Sequence, residues 1–592
     1  MPLQQTSRIR PGSQLLCSRL WLLALVVAIL IPNASLAQSK PLSTSLSERV
    51  ADAILQSGAQ DTGSWSAETG FQLAGMDAAW YNTANGNYFR YAKAKVDTVL
   101  ASNDPGGTIG TPANTLFGRQ LLLLYRVTLH PEYYKAAAAI HTQLAETCDT
   151  PSASPRSTCT AEPFLAEYAL VFQEPQEFAN ITRDFEQWDR LARWPSSRSA
   201  ETKLPDTSIV QLAASLADTI PYYPQHDPGR AQLIALLNHI AVLAAQHWSK
   251  STGLFEESSS GSRHEPMATS EACLLTYALA KGARLGYLPA QDSTRAANAW
   301  QAILKRSVKT DGNGSIALAE EPGAPQAGLG TLLLTAAELD LAPTAMLARG
   351  QTVLLDAWYN SQERKNAAGQ VESFHYKWSD MSDSGYALLG HLFRSYGAVT
   401  DTLYAAPTRG TLSRAQYYII ASPDIPVKNP NPHYMTAQDA DEIAAWVKQG
   451  GFLILMENDP PNADLSHLNL LADRFGIHFD DVLHHHILGE HVENGRIPVE
   501  GNGPLFHHPH TLYMKDTCAI SLSGPAMALL RDRGDVVMAS AKYGRGTVFA
   551  SVDPWLYNEY TDGRKNPRIY DQFDNFAGGR ELVQWLLQQG PH

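Results

Sequence analysis

Carboxylic acids beside a loop-like stretch are the first residues of this chain whose chemistry could act on a substrate. Glu162 and Glu167 follow a Pro/Ser-rich segment, beginning at Cys148, that interrupts an otherwise helical pattern. Residues five apart do not share a helix face, so these two do not form an acid/base pair. Asp380 and Asp383 lie three apart and could share a face, although helix N-terminal capping explains them about as well.

Histidines form two clusters with types suited to transition-metal ligation. The clusters are His484, His485, His486 with His491, and His507, His508 with His510. Their spacing differs from that of helical or hairpin metal sites, which favours solvated polar loops. The sequence therefore predicts no metal ion and no other cofactor.

Further polar residues follow two apolar runs that are typical of buried strands. Glu457, Asn458 and Asp459 come directly after 452–456, and Asp553 follows 547–550. Ligands of open α/β sheets gather at the carboxyl ends of strands, so these residues could line a small polar site. Capping of loops and contact with a helical domain are an equally good explanation.

The elements that carry these residues fall into two domains, as expected for 592 residues with 44% hydrophobic content. Residues 42–400 show apolar side chains at helical spacing, separated by Gly, Pro or Asn. A bundle, a solenoid or a closed ring of helical hairpins fits this pattern, and the lack of a strict repeat favours the ring. Residues 408–590 alternate strands with helices, which predicts an α/β domain with a largely parallel sheet.

The N-terminal 37 residues predict export. Arginines precede the apolar run Leu20–Ile31, and Ser35-Leu36-Ala37 then forms a small-x-small cleavage site. The run is short for a membrane span, although a retained N-terminal anchor is the alternative. We therefore expect a periplasmic or extracellular protein, with no membrane attachment after cleavage.

Export permits disulfides between the four cysteines that remain. Cys148 and Cys159 flank the Pro/Ser-rich stretch and are the expected pair, whereas Cys273 lies in an apolar run and is expected as a buried thiol. The formal net charge of −13 argues against nucleic acid or an anionic membrane as a partner.

Several segments carry a family resemblance, and its strength lies in their order along the chain. They are Trp65–Gly70, Asn87–Tyr91, Gly118–Leu122, Ala161–Tyr168 and Tyr277–Gly282, followed by His375–Trp378, Gly450–Met456 and Asp553–Lys565. Together they resemble the unsaturated uronyl hydrolases of glycoside hydrolase families 88 and 105, in particular a secreted subgroup with a C-terminal extension. The resemblance implies a six-hairpin (α/α)6 toroid and, after it, a domain similar in outline to class I glutamine amidotransferases. Cys518 lacks the strand-turn-helix elbow of their nucleophile, so that domain is expected to be non-catalytic.

In that family an Asp protonates the enol-ether double bond of a 4,5-unsaturated uronic acid, and water adds at the neighbouring carbon. This chain departs from the family at the reacting positions, where a carboxylate, Arg or Trp is expected. Those positions align with Ala113, Ser157–Thr160, Thr207, Gln211 and Ala268, while Ser270 is retained. A lost carboxylate cannot be replaced by Thr or Ala in proton transfer.

Two hypotheses follow from the resemblance. The first is a hydrolase of unsaturated uronyl oligosaccharides from pectin-like glycans, whose acid is one of the acids near matching segments. These weak candidates are Glu68, Glu162 and Glu265, with Trp65 and Arg119 as substrate-binding residues. The second is a non-catalytic scaffold that binds carbohydrate or a partner. A cavity with facing carboxylates and basic or aromatic partners would favour the first, and one lined by Thr, Ala and Gln the second.

Overall fold

The computed structural model describes residues 45–56, 65–102, 112–148, 160–191, 207–258, 264–310, 316–319 and 328–590. The predicted signal peptide, Cys159 and the side chain of Cys148 lie outside these ranges, and so does the predicted disulfide. Cys273 and Cys518 are buried free thiols. Within the described ranges, no helix combines the length and apolarity that crossing a membrane requires.

Twelve helices precede residue 340 in the described part of the chain. They are α1 (Leu46–Gln56), α2 (Ala67–Thr83), α3 (Gly86–Ser102), α4 (Pro112–Thr128), α5 (Pro131–Cys148), α6 (Glu162–Val171), α7 (Glu177–Leu191), α8 (Thr207–Thr219), α9 (Pro228–Gln246), α10 (Thr269–Arg284), α11 (Ala290–Ser307) and α12 (Leu329–Leu339). Two short hairpins lie among them, β1 (Glu256–Ser258) with β2 (His264–Pro266) and β3 (Val308–Thr310) with β4 (Ile316–Leu318).

The even-numbered helices form a closed inner ring. Each contacts the next in the order α2, α4, α6, α8, α10, α12, and α12 returns to α2. Glycines permit the closing contact, because a Cβ at Gly330 would lie 2.4 Å from the backbone nitrogen of Gln72. The first domain is therefore a ring of six helical hairpins, as the sequence predicted.

Inner helices are buried nearly all round, which explains their weak amphipathic pattern. In α12 every residue from 330 to 338 is buried, and in α6 every residue from 162 to 169. The exposed outer helices show the opposite pattern, with apolar residues confined to one stripe. A polar residue on an inner helix consequently needs a partner or a cavity.

The second domain is built on a nine-stranded sheet. Its strands are β5 (Thr352–Asp356), β8 (Val399–Leu403), β9 (Tyr417–Ala421), β10 (Phe452–Met456), β11 (Ile477–His484), β14 (Thr517–Leu522), β15 (Met527–Asp532), β16 (Asp535–Tyr543) and β17 (Gly546–Ser551). Hairpins outside the sheet are β6 (Glu363–Lys365) with β7 (Val371–Ser373), and β12 (Arg496–Val499) with β13 (His510–Tyr513). Its helices are α13 (Ala387–Ser395), α14 (Arg409–Leu412), α15 (Ala437–Lys448), α16 (Leu465–Ala472), α17 (Pro567–Gln572) and α18 (Asn575–Gln589).

The sheet is mixed rather than largely parallel. Strands run in the order β11-β14-β16-β17-β10-β9-β5-β8, with β15 paired to β16. From β17 to β8 all neighbours are parallel, whereas the pairs on the β16 side are antiparallel. The reversal follows from the tight turn Tyr543–Gly546, since two strands joined by a hairpin can only pair antiparallel.

The sheet also begins earlier than the boundary of 400–408 placed by the sequence analysis. Strand β5 pairs in parallel with both β8 and β9 and lies inside the predicted helical range. Its five residues are too few to interrupt a helical pattern visibly, so the change of domain at about residue 340 escaped detection.

Segment 559–565 of the sheet domain contacts the helical ring through hydrogen bonds and a cation–π interaction. Trp80 Nε1 donates a hydrogen bond of 2.9 Å to Asp562, and Arg90 donates to the carbonyl of Gly563. Arg564 lies over the ring of Trp80 at 5.4 Å. Asp562 belongs to the segment Asp553–Lys565, which carries part of the family resemblance. This part of the segment therefore contacts the helical domain, which was one of the two explanations considered for the Asp553 region.

Candidate functional site

Two of the residues aligned with the family's reacting positions, Thr160 and Gln211, line a small cavity. Its volume is about 50 Å³, and Thr160, Gln211 and Ala214 lie in its walls together with Arg119 and Asp218. Such a space admits a few water molecules and not a sugar. Within the described residues, the walls of this cavity therefore combine Thr160, Gln211 and Ala214 with an Arg119–Asp218 ion pair.

Glu68 and Glu162 do not line this cavity. Glu68 accepts a hydrogen bond of 2.9 Å from the backbone of Gly330 and so caps α12; burial raises its pKa. Glu162 is 1% exposed at the start of α6, and burial raises its pKa well above the usual value. Both carboxyl groups are packed into the ring wall.

Trp65 and Glu265, two other residues predicted to belong to the site, lie in different surroundings from Arg119. Trp65 is buried, donates a hydrogen bond of 2.7 Å to the carbonyl of Ala113 and packs edge-on against Phe117. Glu265 lies on β2 opposite Glu257, and its side chain lies outside the described part. Trp65 thus supports the wall of the ring, whereas Arg119 lines a cavity.

A larger cavity, of about 260 Å³, lies beside the small one and shares Leu116, Arg119 and Asp218 with it. Its polar lining comes from the inner helices. It consists of Asp77, Arg119, Gln120, Arg126, Glu167, Asp218, Tyr222, Tyr277 and Lys281. We call it the charged cavity; its volume approaches the lower end of the roughly 300–1,000 Å³ range of small-molecule sites.

Asp218 organises one side of the charged cavity. It accepts hydrogen bonds from Arg119 Nη1 and Lys281 Nζ, both at 2.6 Å, and from the Tyr277 hydroxyl at 2.5 Å. Burial alone would raise the pKa of Asp218, but the cations Lys281 and Arg119 lower it well below the usual range. Asp218 is therefore an ionised anchor that holds two cations in place.

Glu167 organises the opposite side. Its carboxylate accepts a hydrogen bond of 2.9 Å from Arg126 Nη1 and lies 3.9 Å from Arg119 Nε. The three cations, Arg119, Arg126 and Lys281, thus contact two carboxylates, Asp218 and Glu167. Three cationic side chains in one cavity favour a ligand that carries a carboxylate.

Asp77 differs from these acids because no cation contacts it. Gln120 Nε2 donates to its Oδ2 at 2.5 Å, while its buried Oδ1 has no partner among the described residues. Burial raises the pKa of Asp77 to about 7, against weaker lowering by Gln120 and Arg119. A carboxyl group of this kind is half protonated near neutral pH and suits general acid/base chemistry.

Residues singled out in the second domain lie elsewhere. Glu457 is fully buried with neither carboxyl oxygen hydrogen-bonded, and burial raises its pKa well above the usual value. Asp553 accepts backbone hydrogen bonds from Lys515 and Trp555. The two acids lie at the carboxyl ends of β10 and β17, where no cavity described here includes them.

Most histidines of the two clusters pair with different carboxylates, although His508 and His510 both contact Glu581. The pairs are His484 with Asp535, His485 with Asp532, His486 with Asp516, His491 with Glu493, His508 with Glu581 and His510 with Asp574. Among the described residues, no three His, Cys, Asp or Glu side chains are grouped to hold a metal ion.

Sequence reasoning missed Asp77, Asp218 and Lys281. Asp77 and Asp218 each lie in a stretch of an inner helix whose neighbouring residues are mostly small or apolar, as in FQLAGMDAAW around Asp77, and Lys281 follows the apolar stretch Ala278–Ala280. An unpaired charge in such a helix requires a partner from another helix, because burying it alone is costly. A charged residue within an otherwise apolar stretch of helix was therefore the sequence signal that could have identified these residues.

A closed ring of six helical hairpins around a charged cavity defines the (α/α)6 toroid class. Within this ring, residues 212–321 match the family model described as Glycosyl Hydrolase Family 88. The match confirms the family resemblance over this segment, which contains Asp218, Tyr277 and Lys281.

Three solved structures are similar to part of this chain. A family 105 glycoside hydrolase from C. acetobutylicum ATCC 824 is 20% identical, with a TM-score of 0.43, over 50% of this chain and 99% of that chain. A family 88 glycosyl hydrolase from Bacteroides vulgatus is 15% identical, with a TM-score of 0.41, over 49% and 97% respectively. A possible member of family 105 from Klebsiella pneumoniae subsp. pneumoniae MGH 78578 is 15% identical, with a TM-score of 0.38, over 49% and 91%.

Proposed function

We propose that the helical domain is a hydrolase of acidic oligosaccharides, specifically those ending in a 4,5-unsaturated uronic acid, and that it works in the charged cavity. The observation that carries this proposal is Asp77. It is an acid with a pKa of about 7 in a cavity that also holds three cations. The positions of this chain that align with the family's catalytic acids hold no acid. The adjacent charged cavity supplies an acid in their place, namely Asp77.

The cations bind the uronate. Arg119, Arg126 and Lys281 are 23%, 21% and 17% exposed in their side chains, so each retains surface toward the cavity. Hydrogen bonds to ionised groups are roughly twice as strong as neutral ones, and guanidinium groups can hold a carboxylate with two bonds. Glu167 and Asp218 keep the cations fixed before the substrate arrives.

Asp77 supplies the proton. Its Oδ1 transfers a proton to C4 of the enol ether, and the electron pair of the double bond forms the new C–H bond. A water molecule adds its oxygen at C5, and its released proton returns to the Asp77 carboxylate. The resulting hemiketal opens by breaking its C5–O5 bond, which leaves a ketone at C5 and a hemiacetal at C1. The hemiacetal then collapses to an aldehyde, which breaks the bond to the neighbouring sugar and releases that sugar with a free hydroxyl group.

The test is the decay of absorbance in the ultraviolet band of the conjugated double bond, measured with unsaturated uronyl disaccharides. Wild type should show decay, and Asp77→Asn should slow it about 10²- to 10⁴-fold, the usual contribution of a general acid. Glu162→Gln is the matched control, because Glu162 is a buried acid outside the cavity. Equal loss in both variants, or no decay in wild type, would refute the assignment.

Export and the role of the second domain complete the proposal. The arginine-preceded apolar run and small-x-small site support secretion, and the mass of the mature protein from its native host tests it. The parallel strands from β17 to β8 support an amidotransferase-like arrangement. We assign that domain no catalysis, because Cys518 is 1% exposed within β14 and burial raises the pKa of its thiol.

A further inference from the structure

An opening beside the proposed site, to which no role has yet been assigned, lies between the two domains. It is a cavity of about 450 Å³ between the ends of α4 and α6 and the β6–β7 hairpin, and we call it the interdomain cavity. Arg126 lines both this cavity and the charged cavity, and the adjacent residues Asp380 and Met381 line one each. The two cavities are therefore neighbours on either side of the Arg126 side chain.

The walls of the interdomain cavity combine flat apolar surface with fixed polar groups. Tyr404, which follows strand β8, is 63% exposed, and Leu170 and Val371 are 50% and 51% exposed. Arg364 donates to Glu372, Ser382 and Asp380, which leaves two of its five N–H groups for another acceptor. This combination suits a sugar ring, which offers an apolar C–H face and a rim of hydroxyl groups.

The hairpin that closes the cavity is tied to the ring by several hydrogen bonds. The Tyr125 hydroxyl accepts one from Ala367 N–H at 2.7 Å, and Gln173 Nε2 donates to the carbonyl of Val371 at 2.9 Å. The cavity therefore has a fixed shape before any ligand binds, which lowers the entropic cost of binding.

Backbone conformation at two wall residues supports a binding role. Leu129 and Gln173 end α4 and α6 with φ of 59° and 51°, at positions where glycine is usual. Non-glycine residues in this region are strained, and such strain is found preferentially at functional sites. Gln173 uses its side chain to hold the hairpin, and Leu129, 37% exposed, adds apolar wall.

We propose that the interdomain cavity is a carbohydrate subsite that holds the sugar next to the uronate, with its ring stacked on Tyr404 and its hydroxyls bound by Arg364. This inference rests on the proposed function, because the uronate in the charged cavity places the next sugar beyond Arg126. The subsite would make the protein prefer oligosaccharides to single uronates.

The experiment compares two ligands in the Asp77→Asn background, where turnover is suppressed. One is the methyl glycoside of the unsaturated uronate, and the other is the unsaturated uronyl disaccharide. Calorimetry should show that the disaccharide binds about 3- to 10-fold more tightly, the range expected of one stacked ring. Tyr404→Ala should abolish this difference, and Tyr404→Trp should retain it.

The matched control is Tyr434→Ala, which removes another partly exposed tyrosine of the same domain that lines neither cavity. It should leave the difference intact. An unchanged difference in Tyr404→Ala would overturn the subsite while leaving the proposed function in place.

Failure of the proposed function would appear separately, as no binding of either uronate ligand. In that case, saturation-transfer NMR with neutral oligosaccharides of two to four sugars decides the matter. A signal that disappears in Tyr404→Ala supports the subsite alone, and no signal in wild type refutes it.

Discussion

Replacing Asp77 by Asn should stabilise the protein at alkaline pH while it removes activity. Burial raises the pKa of Asp77 to about 7 in the folded chain, from an ordinary value of 3.8. A raised pKa means that folding favours the protonated carboxyl, so the folded state loses stability as pH rises from about 4 to about 7. The shift of roughly 3 units corresponds to about 4 kcal/mol once Asp77 is ionised.

Urea unfolding of wild type and Asp77→Asn at pH 4.5 and pH 8 measures this effect. At pH 4.5 the midpoint of Asp77→Asn should be higher by only about 0.3 M, because Asp77 is protonated in the folded state and already about 80% ionised in the unfolded state. At pH 8 the midpoint of Asp77→Asn should be higher by about 1–2 M, given an m-value of about 3 kcal/mol per molar. Glu162→Gln at the same two pH values shows what removing a buried acid outside the cavity does.

The reasoning would be refuted by a variant that is less stable than wild type at pH 8. Such a result would mean that the Asp77 carboxylate is stabilised by its neighbours, as Asp218 is, and that its pKa is not raised. Asp77 could then not hold a proton at neutral pH, and the proposed mechanism would lose its acid.

Three further predictions concern other parts of the chain. Lys281→Met should weaken binding of an acidic disaccharide by about 10-fold or more in calorimetry, through loss of one charge-assisted hydrogen bond, and leave neutral sugars unaffected. Glu559→Gln should reduce the loss of thermal stability between pH 5 and pH 9, because burial raises the pKa of Glu559 to about 8; an unaltered profile would contradict this. Trp80→Phe should lower the free energy of unfolding by about 1–3 kcal/mol by leaving the buried Asp562 without its indole donor, and no change in the urea midpoint would argue against it.

The fold could be predicted from sequence wherever a pattern was long. Apolar spacing over several hundred residues is typical of paired helices, and the ring of hairpins follows that prediction. The short strand β5 was not predicted, because its five residues, Thr352–Asp356, contain only three apolar side chains in a row, which fit a helix as well as a strand. The antiparallel half of the sheet could not be predicted, because its prediction requires knowing which strands pair. Strand pairing depends on contacts between residues that are far apart in the sequence.

The candidate site was only partly predictable for a related reason. Arg119 was found because it follows Gly118 in a family motif, and a Cβ at Gly118 would lie 2.8 Å from Phe164. Asp77 lies in none of the segments that carry the family resemblance, and Lys281 lies in one of them, Tyr277–Gly282, without being recognised as a site residue. The role of each depends on neighbours from other helices. A pKa near 7 arises from burial together with the absence of a contacting cation, and neither is visible in the residues around Asp77.

The most direct test of the central claim is a crystal structure of Asp77→Asn soaked with an unsaturated uronyl disaccharide. The account predicts electron density for the uronate in the charged cavity, with its carboxylate within hydrogen-bonding distance of Arg119, Arg126 or Lys281, and C4 of the sugar facing residue 77. Density in the small cavity beside Thr160 and Gln211, or on a surface away from both, would contradict it.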